Sequence, residues 1–151
     1  MKNVRGWKHL CGLLKPLGPA VVILVMIGSR IAPPFVVLLV EDDDLVRLMA
    51  VNMLEDAGLT LIEATSADEA WAVLESQNKI DALFTDIEMP GSMNGFTLAS
   101  RVAERWPHIR LVLTSGRFRP AHQDVPDHGK FVPKPYQVEE VLSAFSRAGT
   151  V

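Results

Sequence analysis

The sequence predicts an α/β protein with a doubly wound, five-stranded parallel sheet, and three observations predict it. Short apolar runs rich in β-branched residues alternate with segments patterned at helical spacing, the order that builds parallel strands joined by crossover helices. The first run, FVVLLV at residues 35–40, is unbroken rather than alternating, as a strand covered on both faces requires. Four of the runs stop abruptly at polar residues: Glu41-Asp42, Asp86, Thr114-Ser115 and Lys134. Ligands of open parallel sheets bind outside the carboxyl ends of the strands, so chemistry is expected at these positions.

After the first strand, Asp44 is expected to cap a helix over residues 45–57, with Val46, Met49, Ala50, Met53 and Ala57 as its apolar face. Gly58 stops that helix, because a left-handed closing residue costs glycine nothing. Residues 60–64 form the second strand. Ser66 and Glu69 read as a capping box, each satisfying a free N–H of the other, and open a helix through Ala70, Val73 and Leu74. Residues 81–85 are the third strand, and Pro90-Gly91 turns the chain away from it. A helix over 96–106 is stopped by Pro107, with Leu98, Val102 and Trp106 along one side. Residues 109–114 and 129–133 are the last two strands, and 138–148 the closing helix, faced by Val141, Leu142 and Phe145. Between 115 and 128, Pro120 and Pro126 and the lack of an apolar stripe allow at most a turn or two. The fourth crossover helix is therefore shortened.

A chain of 151 residues, 48% hydrophobic and 22% charged, suits one domain with a sizeable core. The net charge of −3 divides unevenly: residues 1–34 hold Lys2, Arg5, Lys8, Lys15 and Arg30 and no acid, and the remainder has 10 basic and 18 acidic residues. That acidic body argues against nucleic acid as a direct partner. The single Cys11 excludes an internal disulfide, and no Cys/His group has zinc spacing. Residues 1–34 form an N-terminal extension to a domain at 35–151. Their apolar run 20–27 is shorter than the roughly 20 residues a spanning helix needs, and no small-x-small cleavage site follows it. An upstream start codon is the favoured reading, ahead of a weak membrane-associating leader or a functional extension. Poor order or an isolated helix is expected there, membrane association is not, and a cytoplasmic location is.

If the strands are ordered 2-1-3-4-5, strands one and three are neighbours and Glu41, Asp42 and Asp86 converge on one small volume. Like charges so close raise one another's pKa unless a cation is present. A hard divalent ion with oxygen ligands resolves this, and Mg²⁺ (or Mn²⁺) suits a site that receives a phosphoryl group. Lys134 and the Thr114 hydroxyl supply a cation and a donor for phosphoryl oxygens, and an aspartate is a competent acceptor, giving an acyl phosphate. Each residue alone has a plainer reading as a helix cap, a satisfied strand end or a turn lysine. Four such residues on one edge make coincidence improbable.

The segments VVLLVEDDDLVR, DALFTDIEMPG, LVLTSG and FVPKPY, in this order and spacing, resemble the receiver domain of two-component response regulators, chemotaxis-regulator-like, over residues 35–148. The resemblance implies the flavodoxin-like order 2-1-3-4-5, with Asp86 as phosphoacceptor and Glu41 and Asp42 as the acidic pair at the metal. It makes the backbone carbonyl of Glu88 a further ligand and gives Thr114 and Lys134 the phosphoryl group to hold. Phe131 takes the aromatic switch position, and the Lys134-Pro135 bond becomes cis. Two departures stand out. The loop MPGSMNG is one residue longer than usual, which displaces the start of the third helix, and the proline-broken fourth crossover puts a standard dimer face in doubt.

The implied protein is a stand-alone regulator, phosphorylated by a histidine kinase or phosphotransfer protein and read by a downstream protein target. It is a monomer or a weak phosphorylation-dependent dimer, and not an enzyme beyond self-catalysed phosphotransfer and slow autodephosphorylation. Two alternatives remain: a small Mg²⁺-dependent phosphohydrolase with Asp86 as nucleophile, and a non-phosphorylated interaction module. The first needs a general acid and a substrate cap, for which the sequence offers no candidate.

Overall fold

A computed structural model of the chain describes residues 34–76, 79–126 and 129–146. Residues 1–33 of the extension and residues 147–151 lie outside the described residues; the closing helix ends at Phe145, with Ser146 extended, short of the expected 148. The elements run β1 (Val36–Val40), α1 (Asp44–Asp56), β2 (Thr60–Ala64), α2 (Ala67–Ser76), β3 (Ala82–Asp86), α3 (Gly95–Arg105), β4 (Arg110–Ser115), β5 (Lys130–Pro133) and α4 (Val138–Phe145). A single 3₁₀ turn, His122–Asp124, occupies the crossover between β4 and β5, as its two prolines predicted. The strands form one parallel sheet in the order β2-β1-β3-β4-β5, so strands one and three are neighbours as expected.

Alternation along the strands sorts the core into two layers. Val37, Leu39, Phe84 and Val112 face α1 and α4, meeting Ala50, Val51, Leu54, Val141, Leu142 and Phe145. Leu38, Val40, Leu83, Leu111 and Leu113 face α2 and α3, meeting Ala70, Leu74, Leu98, Ala99 and Val102. β3 is buried at all five positions, because it is central and covered on both sides. Among the described residues no helix is long and apolar enough to cross a membrane.

Several local expectations need correction. The N-cap of α1 is Asp43, not Asp44: the Asp43 carboxylate accepts from the N–H groups of Leu45 and Val46 at 2.9 Å each. The buried face of α1 is Ala50, Val51, Leu54 and Ala57, while Met49 is 64% exposed and Val46 and Met53 are half-buried. The capping pair of α2 is offset by one residue. Ser66 Oγ accepts from the Glu69 N–H at 3.1 Å, but Glu69 returns to the Thr65 N–H and hydroxyl, each at 2.7 Å. Gly58 closes α1 with φ +88°, as predicted. Trp106 is the C-cap of α3, its ring 5.2 Å from that of Trp71, instead of part of the helix face. The loop before α3 is tied down by Ser92 Oγ on both Asp68 carboxylate oxygens, and Asn94 caps the helix at the Thr97 N–H.

Candidate functional site

The carboxyl ends of β1, β3, β4 and β5 bring Glu41, Asp42, Asp86, Thr114 and Lys134 to one edge of the sheet. Asp86 and Thr114 are register partners on adjacent strands. Glu41, Asp86 and Thr114 are buried and Asp42 is exposed, so the acidic pair spans the boundary between core and solvent. Lys134 extends across from the end of β5 with its Nζ 2.6 Å from Glu41 Oε2 and 3.4 Å from Asp86 Oδ1. In this state the lysine is primarily the partner of Glu41. Its second contact is an ion pair without hydrogen-bond alignment, for Asp86 Oδ1 has no hydrogen-bond partner.

Thr114 Oγ1 is the other buried polar atom without a partner at this edge. Two such atoms on adjacent strands are costly, since buried polar groups are nearly always paired. A ligand with several acceptor oxygens and a cation would satisfy both: the hydroxyl can donate and the carboxylate can be coordinated. Glu41, Asp42 and Asp86 each place one oxygen so that all three lie within 4.8 Å of one another, a donor set that fits a hard divalent ion.

Electrostatics follow from this crowding. Burial pushes the Asp86 carboxyl up to about 6, helped by the charge of Glu41 and opposed by Lys134. Burial alone would lower the Lys134 ammonium, but Glu41 and Asp86 outweigh it and hold it above its ordinary value. Tyr136, against Phe84 with ring centroids 5.3 Å apart, is pushed to about 12 by burial and by the same two carboxylates.

The remaining expected residues stand nearby. The Glu88 side chain is turned to Ser115, whose hydroxyl donates to it at 2.8 Å and accepts from the N–H groups of Arg117 and Phe118. That hydroxyl therefore joins the loops that follow β3 and β4. Phe131 is half-buried on β5, with the Arg119 guanidinium 5.8 Å from its ring centre. The Lys134-Pro135 bond is cis. Sequence reasoning missed Gly95, Arg47 and Tyr136. Gly95 is forced by contact: a Cβ there would stand 2.7 Å from the Asp86 carbonyl carbon and 2.8 Å from Thr85 Oγ1. The start of α3 is packed directly on the peptide that carries the central aspartate.

Comparison with known proteins agrees with this fold. The family described as "Response regulator receiver domain" matches residues 37–146. The sensor kinase CckA of Brucella abortus is 35% identical over 111 residues, which span 71% of this chain and 12% of the kinase. The response regulator receiver protein CpdR of the same organism is 29% identical, over 74% of this chain and 93% of CpdR. A crystal structure of a response regulator receiver protein from Sinorhizobium medicae superposes with a TM-score of 0.68 at 25% identity, covering 75% of this chain and 92% of that one. The parallel sheet and its strand order are thus those of a known fold, and the chain belongs to the response regulator receiver family of two-component signalling.

Proposed function

We propose that the chain accepts a phosphoryl group on Asp86 from a phosphohistidine of a histidine kinase or phosphotransfer protein, and signals by changing its affinity for a protein partner. The observation that carries this reading is the pair of buried, partnerless atoms, Asp86 Oδ1 and Thr114 Oγ1, on neighbouring strands with Lys134 across from them. In the transfer, an Asp86 oxygen forms the new O–P bond. The donor's P–N bond breaks, and its electron pair stays on the imidazole. Glu41, Asp42, Asp86 and the Glu88 backbone carbonyl would hold Mg²⁺ or Mn²⁺, which when bound neutralises charge developing on the phosphoryl oxygens.

Once Asp86 is modified, the phosphoryl group gives Thr114 an acceptor and gives Lys134, now paired chiefly with Glu41, a stronger partner than the bare Asp86 carboxylate. The added charge and acceptor oxygens are the differential interaction that shifts the equilibrium. Movement of Thr114 frees space for Phe131, which is half-buried against the core with the Arg119 guanidinium over its ring. A protein donor has a ready surface beside the site. Leu45, Leu48 and Met49 are exposed on α1, and a groove of about 430 Å³ beside them is lined by Val46, Met49, Met53, Pro135 and Tyr136. Contiguous exposed apolar surface of this kind marks interaction sites.

The test is direct. Acetyl phosphate with Mg²⁺ should add one phosphoryl group to the protein, seen by intact mass and lost on mild base treatment. No addition under any divalent ion would overturn the reading. The metal is tested separately by melting. Mg²⁺ should raise Tm by mass action, because it binds the folded acidic cluster and not the unfolded chain. Asp42→Ala should remove most of that rise, and an undiminished Mg²⁺ response in the variant would move the ion elsewhere.

A further inference from the structure

We infer that Arg47 is a positioning residue for the metal-binding pair, acting through the backbone of Glu41; the inference rests on the reading of Glu41, Asp42 and Asp86 as the cation site. Arg47 lies on the first turn of α1, and its side chain is only 14% exposed. Its guanidinium has three separate partners. Nη1 donates to the Glu41 carbonyl at 2.9 Å, Nη2 to Asp44 Oδ1 at 2.6 Å, and Nε to Glu63 Oε2 at 3.2 Å. The three partners belong to the end of β1, the start of α1 and β2.

The Glu41 carbonyl is where β1 leaves the sheet. On its other side the Glu41 N–H donates to the Ala64 carbonyl at 3.1 Å, the last rung toward β2. Arg47 therefore supplies the hydrogen bond that the ladder no longer provides, so Glu41 is held through the N–H of the peptide before it and through the carbonyl of the peptide that joins it to Asp42. The orientation of that peptide sets the direction in which Asp42, the next residue, projects. Meanwhile the Glu41 side chain is occupied by the Asp43 N–H at 3.1 Å and by Lys134.

The two acids on the guanidinium have their own role. A lone positive group behind a cation site would repel the incoming ion. Asp44 and Glu63 neutralise it, so Arg47 acts as a geometric bracket with little net field. The planar fork suits this, because one guanidinium can hold three acceptors in fixed directions and an ammonium cannot. Groups that orient first-contact ligands typically change metal affinity about 10- to 100-fold when removed.

The experiment is a Mn²⁺ titration of the full chain by electron paramagnetic resonance, at a temperature where circular dichroism shows every variant folded. Arg47→Lys keeps the charge and Arg47→Met removes it. Both should weaken Mn²⁺ binding about 10-fold or more. Failure of the lysine to rescue separates positioning from simple electrostatics. A merely structural Arg47 would lower Tm and leave the Kd of the folded protein unchanged. If Arg47→Met does not fold, Asp44→Asn with Glu63→Gln gives a second arm: Arg47 stays but loses its orienting, neutralising partners, and binding should again weaken. Wild-type Kd in Arg47→Lys, with binding lost in Asp42→Ala, would overturn the inference while leaving the metal site intact. Unchanged binding in Asp42→Ala would instead overturn the site assignment and the inference with it.

Discussion

Asp86→Asn is expected to abolish phosphorylation by acetyl phosphate and, at the same time, to make the metal-free protein more stable at neutral pH. The first effect is loss of the nucleophile: an amide oxygen cannot form the acyl phosphate, and no other carboxylate at this edge is a register partner of Thr114. The second follows from burial. Asp86 titrates at about 6 in the folded protein, above the 3.8 of a free aspartate. Between those values the folded state binds the proton more tightly than the unfolded state, so the wild type loses stability as pH rises through this window. Above pH 6 the charged carboxylate opposes folding by on the order of 1 kcal/mol after allowance for solvent screening. The asparagine escapes that cost. The gain in Tm should be largest above pH 7 without divalent ion, shrink toward pH 4, and shrink as Mg²⁺ is added to the wild type. Mass spectrometry and melting curves on the same samples report both effects. Phosphoryl incorporation at wild-type stoichiometry in Asp86→Asn would sink the acceptor assignment, and a lower Tm for the variant at pH 8 would sink the electrostatic one.

Gly95→Ala should be the most damaging added methyl among the described glycines. The added carbon would press on the Asp86 carbonyl group and on Thr85 Oγ1, both parts of a strand buried at every position. Flexible side chains can swing aside, but a backbone carbonyl in a central strand cannot, so α3 must shift. Overpacking costs about 1–3 kcal/mol, and this backbone contact belongs at the upper end. A fall in Tm on the order of 10 °C is expected. The Gly95 N–H also donates to the Ile87 carbonyl at 3.1 Å, so a displaced α3 pulls on the loop just after Asp86. Mg²⁺ affinity should fall together with Tm. Gly116→Ala is the control, because nothing lies within 4 Å of its Cβ position. Equal melting temperatures for the two variants would show that the helix start yields without cost.

The strands and the convergent edge were legible in the sequence for a simple reason. Four apolar runs that end at polar residues carry their own boundaries, and parallel connection puts every carboxyl end on the same side. What was not legible depends on register or on distant contacts. Four consecutive acidic or cap-forming residues, 41–44, contain no signal for which one caps α1, and Asp43 does so. The α1 sequence DLVRLMAVNMLED has two apolar stripes at helical spacing. Val46, Met49 and Met53 form one and Ala50, Val51 and Leu54 the other, and only packing on the sheet decides between them. Arg47 reads as an exposed helix arginine until Glu63, 16 residues away, is brought beside it. Gly95 looks like any loop glycine until the Asp86 carbonyl is placed against it.

The brief crossover before β5 has a consequence for how the site fails. β5 has four residues and lies at the edge of the sheet, and its approach holds one 3₁₀ turn where the other crossovers hold full helices. Lys134 is delivered by this least buttressed piece, whereas Asp86 sits on a central strand. Local opening free energies within a fold follow such differences in burial and pairing. The cationic arm of the site can therefore detach in a partial unfolding event that leaves the acidic half assembled. The arm that carries Lys134 is thus expected to open at a lower free energy than the strand that carries Asp86, and faster amide exchange along β5 than along β3 would show the clamp lost before the fold.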